Sequence, residues 1–578
     1  MADATTSTSI TRRKFVRSTT LISGGVALLP GLLTACKDNE PGVVYTGDFG
    51  FREGVASFDP SATNVILWTR YTAAANESGD ATIRWEVAEN NTFASAVASG
   101  TVQVTATTDY TVAVDVPGLQ ANKKYFYRFS SERTAVTSVV GETRTLPTGA
   151  QASSVKLAVV SCANYQAGLF NVYGAVAASD ADAVVHLGDY IYEYGAGQYG
   201  SNPATTALKR DHLPATEIVG LSDYRTRYRQ YRSDAQLQLA HQLKPFICVW
   251  DDHEYANDAY TTGAQNHQPA TEGNFEDRKR VANQAWHEYL PARVADKTKI
   301  YRSFAFGNLV NLLMLDTRIT GRDKQLSLSD YTSSTGTFNT AAFATDWQNP
   351  NRSMLGADQR AWLASSLGSS SAQWQVLGSQ VLMGKMYIPV ELLALVGQLA
   401  NNPTPALLAQ YNTQATQLSA IKLRILNNDP TVTAAERARV STVLPYNLDA
   451  WDGYPAERER VYAAAGTKKV IALAGDTHNA WHSDLTTSTG RRAGAEFACS
   501  SVSSPGFEAL LAGNASAIAG FEQANQLLID DLQYLDASRR GYVLAIFTAT
   551  NATAEYRYVG SLDTLNPTTT TGKTVVEV

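Results

Sequence analysis

Cysteine is scarce in this sequence. Only four cysteines occur among 578 residues, at positions 36, 162, 248 and 499. A disulfide framework, of the kind that stabilises small secreted domains, needs more cysteines at closer spacing. The chain must therefore be held together by a hydrophobic core. Cys248 and Cys499 lie in apolar runs, and we predict that both are buried as small hydrophobic residues.

The sequence also lacks an excess of positive charge. Lys and Arg number 48 against 54 Asp and Glu, which gives a net charge of −6. We therefore expect no specific nucleic-acid binding by charge and no attraction to anionic lipid, so an anionic substrate must be held by a local site. The length and an apolar fraction of 44% are typical of a globular protein with two to four domains.

No hydrophobic run near the N-terminus is long enough to cross a bilayer of about 30 Å, because residues 19–33 are broken by Gly and Pro. Arg12 and Arg13 precede this run, and the pair resembles a twin-arginine signal, which implies the twin-arginine export machinery as a partner. Residues 33–36 resemble a lipobox, in which Cys36 is the lipidation site. The alternative is a plain signal with an incidental Cys36. We expect residues 1–36 to be removed or anchored, and the protein to be exported to the periplasm or beyond, with membrane contact only through Cys36.

Residues 43–146 contain short apolar or alternating runs with no helical period between them. These runs are 64–69, 81–87, 110–114 and 124–129, and they predict an all-β sandwich. Leu119 followed by Tyr125 and Tyr127 resembles the late-strand pattern of fibronectin type III and immunoglobulin-like modules. We predict that these tyrosines are core and corner residues. Small residues at 147–154 mark the end of the domain.

Residues 155–560 have a different pattern of apolar residues. Nearly continuous apolar runs, typical of buried strands, alternate with helical stretches such as 235–243 and 278–290, and the strand runs are 155–160, 183–187, 246–250, 312–315, 375–377 and 470–474. This alternation predicts an α/β layered fold whose ligands lie at the carboxyl ends of the strands. Residues 389–444 predict a helical insertion that could cover the site.

Four of the predicted strands end in short polar motifs. These are Ser161-Cys162-Ala163-Asn164-Tyr165, Gly188-Asp189-Tyr190-Ile191-Tyr192-Glu193, Trp250-Asp251-Asp252-His253-Glu254 and Gly475-Asp476-Thr477-His478-Asn479. Any one Gly-Asp is most often a cap or a turn. Four such ends in one sheet favour a metal cluster, because carboxylates brought together repel one another unless cations lie between them.

These motifs resemble those of the calcineurin-like metallophosphoesterases, and the resemblance covers about residues 49–558. Residues 251–254 read Asp-Asp-His-Glu, residues 475–478 read Gly-Asp-Thr-His, and Ser161-Cys162 stands where that family opens with Asp-x-His. These departures are typical of the PhoD-like (alkaline phosphatase D) branch. Further matches are residues 54–60, 315–318, 451–458 and 501–506. Phe58 departs from the usual Gly of the Ser-Gly-Asp-Pro turn.

The resemblance implies a four-layer sandwich, with two mixed sheets flanked by helices, and a site that holds Fe(III) beside Ca²⁺. It also implies the metal ligands, which are Cys162, Asp189, Tyr192, Asp252, Asp476 and His478. The residue types fit this chemistry, since thiolate and phenolate suit a transition metal of high charge and carboxylate oxygens suit Ca²⁺. Tyr190, Tyr192 and Tyr194 alternate along one segment, so two of the three are expected to be packing residues.

Hydrolysis of a phosphate ester also needs groups that bind oxygens and donate a proton. His253 is the candidate proton donor. Arg318 is the candidate for binding non-bridging oxygens, with a salt bridge to Asp316 or another acid as the alternative. Asn164 and Asn257 are weaker candidates for contact with phosphate or metal.

The sequence therefore predicts an exported metal-dependent phosphatase that acts on phosphodiesters and monoesters with a metal-activated water. One alternative within the same chemistry is a phospholipase D-like or teichoic-acid phosphodiesterase. An alternative of another class is a calcium-binding surface lipoprotein without catalysis. Intact candidate ligands and the presence of His253 argue against this last alternative.

Overall fold

The computed structural model describes residues 48–578, apart from gaps at 76, 78, 135, 335–336 and 403. The predicted export signal with Cys36, and the start of the predicted N-terminal domain, lie outside the described residues. The part of the chain that the structure describes belongs to one compact unit. None of its helices has the length and apolar character that crossing a membrane requires.

The described strands are β1 Val55–Phe58, β2 Val65–Arg70, β3 Ala81–Ala88, β4 Ala96–Val104, β5 Thr111–Val116, β6 Lys124–Ser131, β7 Gly141–Arg144, β8 Ser154–Val160, β9 Ala183–His186, β10 Pro245–Cys248, β11 Arg302–Phe306, β12 Val310–Met314, β13 Trp374–Gly378, β14 Tyr387–Pro389, β15 Val443–Pro445, β16 Lys469–Ala474, β17 Ala480–Thr486, β18 Arg492–Ala498, β19 Leu532–Asp536, β20 Gly541–Thr548, β21 Ala552–Val559 and β22 Thr569–Glu577.

The described α-helices are α1 Asn171–Ala178, α2 Leu221–Arg232, α3 Ala235–Leu243, α4 Pro269–Glu272, α5 Phe275–Tyr289, α6 Thr340–Trp347, α7 Gly356–Ser369, α8 Val390–Asn401, α9 Pro405–Leu426, α10 Ala434–Ser441, α11 Pro455–Ala465, α12 Phe507–Leu510 and α13 Ala515–Leu528. Helix α3 has the predicted bounds, because the side chain of Asp234 caps it by accepting the N–H groups of Gln236 and Leu237. Helix α5 begins and ends close to the predicted residues 278–290.

Two large mixed sheets form the body of the molecule. One has the order β22-β21-β20-β8-β9-β10-β1-β2-β5, and the other has the order β11-β12-β13-β16-β18-β17-β19. Strands β8, β9 and β10 are parallel in the first sheet, and β12, β13, β16 and β18 are parallel in the second. The carboxyl ends of the parallel strands within each sheet therefore lie on the same edge.

Apolar side chains cover both faces of the second sheet. Leu312 and Ile471 belong to the core that this sheet shares with β8 and β9, while Leu313 and Val470 belong to a second core with helices α7, α11 and α13. Successive side chains of a strand point to opposite faces, so a strand that is apolar throughout is buried on both. The result is two sheets flanked by helices, which confirms the predicted four-layer fold.

The N-terminal part is an all-β sandwich, as predicted. Its second sheet has the order β4-β3-β6-β7, and a separate apolar core fills the space between this sheet and β1-β2-β5. Tyr127 is in that core, and the hydroxyl of Tyr125 accepts the N–H of Gln120 at 2.9 Å, which makes Tyr125 a corner residue. The sandwich is not a separate body, however, because β1 pairs in parallel with β10 and extends the first large sheet.

Two further segments adjoin this body. The predicted insertion contains helices α8, α9 and α10 between the paired strands β14 and β15, and α9 packs against α13. At the C-terminus the first sheet continues beyond residue 560, where the sequence placed the end of the domain, because β22 pairs with β21 along residues 569–577.

Candidate metal centre

The loops after β8, β9, β10 and β16 carry the predicted ligands. In the two sheets these loops follow parallel strands, so they meet at one edge of the sandwich although Cys162 and His478 are far apart in sequence. Gly188 allows the closest approach, because a Cβ at that position would lie 2.5 Å from the backbone nitrogen of Asp251. Only glycine permits the loops after β9 and β10 to pack so tightly.

Several of these residues have an unusual backbone conformation. Cys162, Asp189, Asp476 and His478 all have φ between +54° and +66°, the left-handed region that residues other than glycine rarely adopt. Each such residue costs about 1–3 kcal/mol, and such strain collects at functional sites. The loops are therefore held in turns that aim the side chains at a common point.

A thiol, a carboxylate, a phenol and an imidazole meet at that point. Ligand atoms of Cys162, Asp189 and His478 all lie within 4.8 Å of one another. The hydroxyl of Tyr192 lies 2.8 Å from Asp189 Oδ2 and 3.1 Å from His478 Nε2, and it accepts a hydrogen bond from Ser504 at 2.7 Å. This set of donors fits a transition metal of high charge.

A second group of ligand atoms lies beside the first. Oxygens of Asp251, Asp252 and Asp476 lie within 4.8 Å of one another, and Asp189 and Asp252 form a further group with His253. Asp189 Oδ1, Asp251 Oδ2 and Asp252 Oδ1 are buried and have no hydrogen-bond partner. Buried carboxylate oxygens without donors are rare in folded proteins. They fit a hard cation that takes oxygen ligands, with Asp189 reaching both groups.

Burial disfavours the charged forms of these ligands when no cation is present. It raises the pKa of Cys162, Asp189 and Tyr192 well above the ordinary values, and it raises the pKa of Asp476 to about 7. A nearby cation has the opposite effect, because it stabilises thiolate, phenolate and carboxylate. Burial lowers the pKa of His478 to about 3, so its neutral ring can donate Nδ1–H to the carbonyl of Pro505 at 2.8 Å and leave Nε2 free to bind a metal.

Two glutamates fix the loops and the candidate proton donor. Glu254 accepts the backbone N–H groups of Asp189, Tyr190 and Asp251, and so joins the loops after β9 and β10. Glu193 Oε2 lies 2.6 Å from His253 Nδ1. Burial alone would lower the pKa of His253, but the charges of Glu193, Asp189 and Asp252 together outweigh it and raise that pKa well above the ordinary value. His253 thus holds a proton at the edge of the metal-ligand groups.

Comparison with known proteins assigns the family. The model of the PhoD-like phosphatase family matches residues 157–556, and the model of the PhoD-like phosphatase N-terminal domain matches residues 38–147. The chain belongs to the PhoD-like phosphatase family.

Two relatives cover most of this PhoD-like phosphatase. Alkaline phosphatase D of Bacillus subtilis (strain 168) is 33% identical over 86% of this chain and 76% of that protein. A solved structure of PhoD is 30% identical with a TM-score of 0.72, and the alignment covers 92% of this chain and 91% of that chain. The predicted enzyme class is confirmed: the chain is a phosphoric ester hydrolase.

In the structure of this PhoD-like phosphatase the side chain of Arg318 is paired with acidic residues, and its phosphate contact stays a prediction. The side chain is fully buried, and its N–H groups donate to Asp251, to both oxygens of Asp449 at 2.8 and 2.7 Å, and to Asp476 at 2.8 Å. This is the salt-bridge alternative that the sequence left open. Asp316 is not among these partners, because its carboxylate accepts backbone N–H groups of its own turn. Arg318 holds three acidic loops together.

The two asparagines also have partners within the chain. Asn164 is fully buried; its Oδ1 accepts the N–H of Gln166 and its Nδ2 donates to the carbonyl of Tyr199. Its predicted contact with phosphate or metal stays a prediction. Asn257 is half-buried, and its side chain donates to Gln265 at 3.1 Å. Cys248 and Cys499 are buried free thiols, as predicted.

Sequence reasoning missed residues that only the fold brings to the site. They are Tyr199, Ser504 and Asp449, which come from loops outside the four strand-end motifs. Glu193 and Asp251 stood inside quoted motifs but were given no role. Glu193 and Asp251 could have been found from their position next to predicted ligands. No such sequence signal pointed to Asp449.

We predict that Arg318→Met lowers the free energy of unfolding by about 3–5 kcal/mol, because it leaves buried carboxylates without the guanidinium group that pairs with them. Chemical denaturation measures the change. Arg280→Met is the matched control, since Arg280 is exposed and pairs with Asp277 at 3.6 Å, a contact of about 0–1 kcal/mol.

Arg318→Lys keeps the charge but not the fork of donors, so its stability should fall between the wild type and Arg318→Met. A stable Arg318→Met variant whose only defect was a higher KM would contradict the role of Arg318 in holding the acidic loops together. It would favour the phosphate-binding role.

Proposed function

We propose that this PhoD-like phosphatase is an exported, metal-dependent enzyme that releases phosphate from phosphodiesters and monoesters by attack of a metal-activated water. The convergence of a thiol, a phenol, an imidazole and carboxylates with unpartnered oxygens at one edge of the sandwich carries the proposal. A phosphate ester is itself anionic, so a site this acidic can accept it only after cations have reversed its charge.

The donor types divide the ligands between two cations. Cys162, Tyr192 and His478 would hold Fe(III), Asp252 and Asp476 would hold Ca²⁺, and Asp189 would reach both. Such cations, when bound, make water acidic enough to attack near neutral pH and neutralise the phosphate oxygens. This assignment rests on ligand chemistry, since soft and phenolic donors favour the transition metal and carboxylates favour calcium.

The chain's own residues then orient the ester and supply a proton. His253, held through Nδ1 by Glu193, presents its other ring nitrogen as the proton donor for the departing alcohol. Arg318 keeps the acidic loops in register. In this proposal, phosphate binding depends on the cations together with protonated His253.

The substrate class separates this proposal from the nearest alternative, a phospholipase D-like or teichoic-acid phosphodiesterase. None of the candidate metal ligands decides between them. A turnover comparison across a phosphomonoester, a nucleotide-type diester, a phospholipid and a polyol phosphate polymer, with calcium present and then chelated, does. We expect turnover of the mono- and diester that chelation abolishes and calcium restores.

The variant Asp189→Asn tests the predicted metal-ligand role of Asp189. It removes one charge from the residue that reaches both ligand groups, so turnover of an aryl phosphodiester should fall at least about a thousandfold, or roughly 4 kcal/mol of transition-state stabilisation. Circular dichroism should show an intact fold. Unaltered turnover would refute the role of Asp189, and turnover of the phospholipid or the polymer alone would favour the alternative.

Export remains a prediction, because Arg12, Arg13 and Cys36 lie outside the described residues. We propose a twin-arginine signal followed by lipid attachment at Cys36. Mass spectrometry of the mature N-terminus should find a chain that starts at Cys36 and carries acyl groups. Cys36→Ser should yield a protein without lipid. A wild-type chain cleaved elsewhere and free of lipid would show a plain signal.

A further inference from the structure

Tyr199 is a tyrosine at the mouth of the site to which the proposed chemistry assigns no role. Its ring is nearly parallel to that of His253, at 9° and with centroids 6.4 Å apart, and it also packs against the rings of His478 at 6.2 Å, Tyr192 at 5.9 Å and Tyr194 at 5.6 Å. Yet 36% of the residue is exposed to solvent. Part of Tyr199 therefore faces solvent beside the candidate proton donor.

Buried contacts hold the backbone of Tyr199 in place, and its hydroxyl contacts His478. The carbonyl of Tyr199 accepts hydrogen bonds from Asn164 at 3.2 Å and Gln166 at 3.4 Å, and both of these side chains are fully buried. Gly200 has φ of +89°, and a Cβ there would lie 2.3 Å from the amide of Asn164. The hydroxyl of Tyr199 lies 3.0 Å from His478 Nδ1. Buried anchors for a surface ring indicate a preorganised platform, since an idle surface side chain needs none.

We propose that Tyr199 is a specificity-determining residue, whose exposed ring stacks on a flat aromatic group carried by the departing alcohol of the ester. The proposal rests on the proposed function, because it places the alcohol beside His253, where the proton is delivered. Stacking of a flat ring on a tyrosine is favourable by offset or edge contacts, and it tolerates different rings because every flat aromatic ring has a π-face. The preferred substrates are therefore esters of aryl, benzyl or nucleobase-bearing alcohols.

Benzyl phosphate and cyclohexylmethyl phosphate test the proposal, because their alcohols are alike in size and acidity but only one ring is flat. Phosphate release gives kcat/KM for both esters in the metal-loaded enzyme. Tyr199→Leu should lower kcat/KM for benzyl phosphate at least about fivefold, mainly through KM, and change the value for the cyclohexylmethyl ester less than about twofold. Tyr199→Phe keeps the ring and should keep the preference.

Tyr331→Leu is the control for loss of a partly exposed tyrosine, since Tyr331 contacts Phe343 and Asp346, and it should leave both values unchanged. An equal loss for both esters, or a loss in Tyr199→Phe as large as in Tyr199→Leu, would overturn the proposal and show that Tyr199 only orients His478. A higher kcat/KM of Tyr199→Leu for both esters would also overturn the proposal, because it would show that the Tyr199 side chain obstructs access to the site.

Binding separates failure of this proposal from failure of the proposed function. If the wild type turns over neither ester, the function fails, but calorimetry with benzylphosphonate and cyclohexylmethylphosphonate still tests the platform. The wild type should bind benzylphosphonate more tightly, and Tyr199→Leu should remove that difference. Equal affinities of the wild type for both phosphonates would contradict the platform.

Discussion

Mutual repulsion among buried acidic side chains is the constraint on which this structure depends. Asp189, Asp251, Asp252 and Asp476 meet at one edge of two sheets. Burial and neighbouring carboxylates raise the pKa of Asp189, Asp251 and Asp476, while Arg318 and His253 keep the pKa of Asp252 below its ordinary value despite its burial. Part of the charge is compensated within the chain by Arg318, which joins three of the acidic loops. The carboxylate oxygens that accept no hydrogen bond are where cations fit.

The fold provides the strength to hold such a site. Parallel strands buried on both faces end at the same edge, so the four loops are anchored in strands of the hydrophobic cores. The left-handed turns at Cys162, Asp189 and His478 are strained, and only a well-packed scaffold can sustain them. Asn164, which follows β8, also donates a hydrogen bond to the carbonyl of Tyr199, so the same scaffold supports Tyr199 beside the candidate ligands.

The sequence predicted those parts of the site that lie next to their own strands. Cys162, Asp189, Asp252 and His478 stand in short motifs after apolar runs, so local pattern indicated these loops, and the resemblance to the PhoD-like branch implied the individual ligands. The partners of Arg318 and Asn164 could not be predicted, because they are remote in sequence: Asp449 is 131 residues from Arg318, and Tyr199 is 35 residues from Asn164. The pairing of β1 with β10 was missed for the same reason, since sequence pattern carries no register between distant segments.

The central claim is that these acidic side chains, with one thiol and one phenol, hold two kinds of cation. Elemental analysis of the purified protein tests it most directly, with Cys162→Ser analysed beside the wild type. The account predicts iron and calcium together in the wild type, and loss of iron with retention of calcium in Cys162→Ser. Zinc alone in the wild type, or iron unchanged in Cys162→Ser, would contradict it.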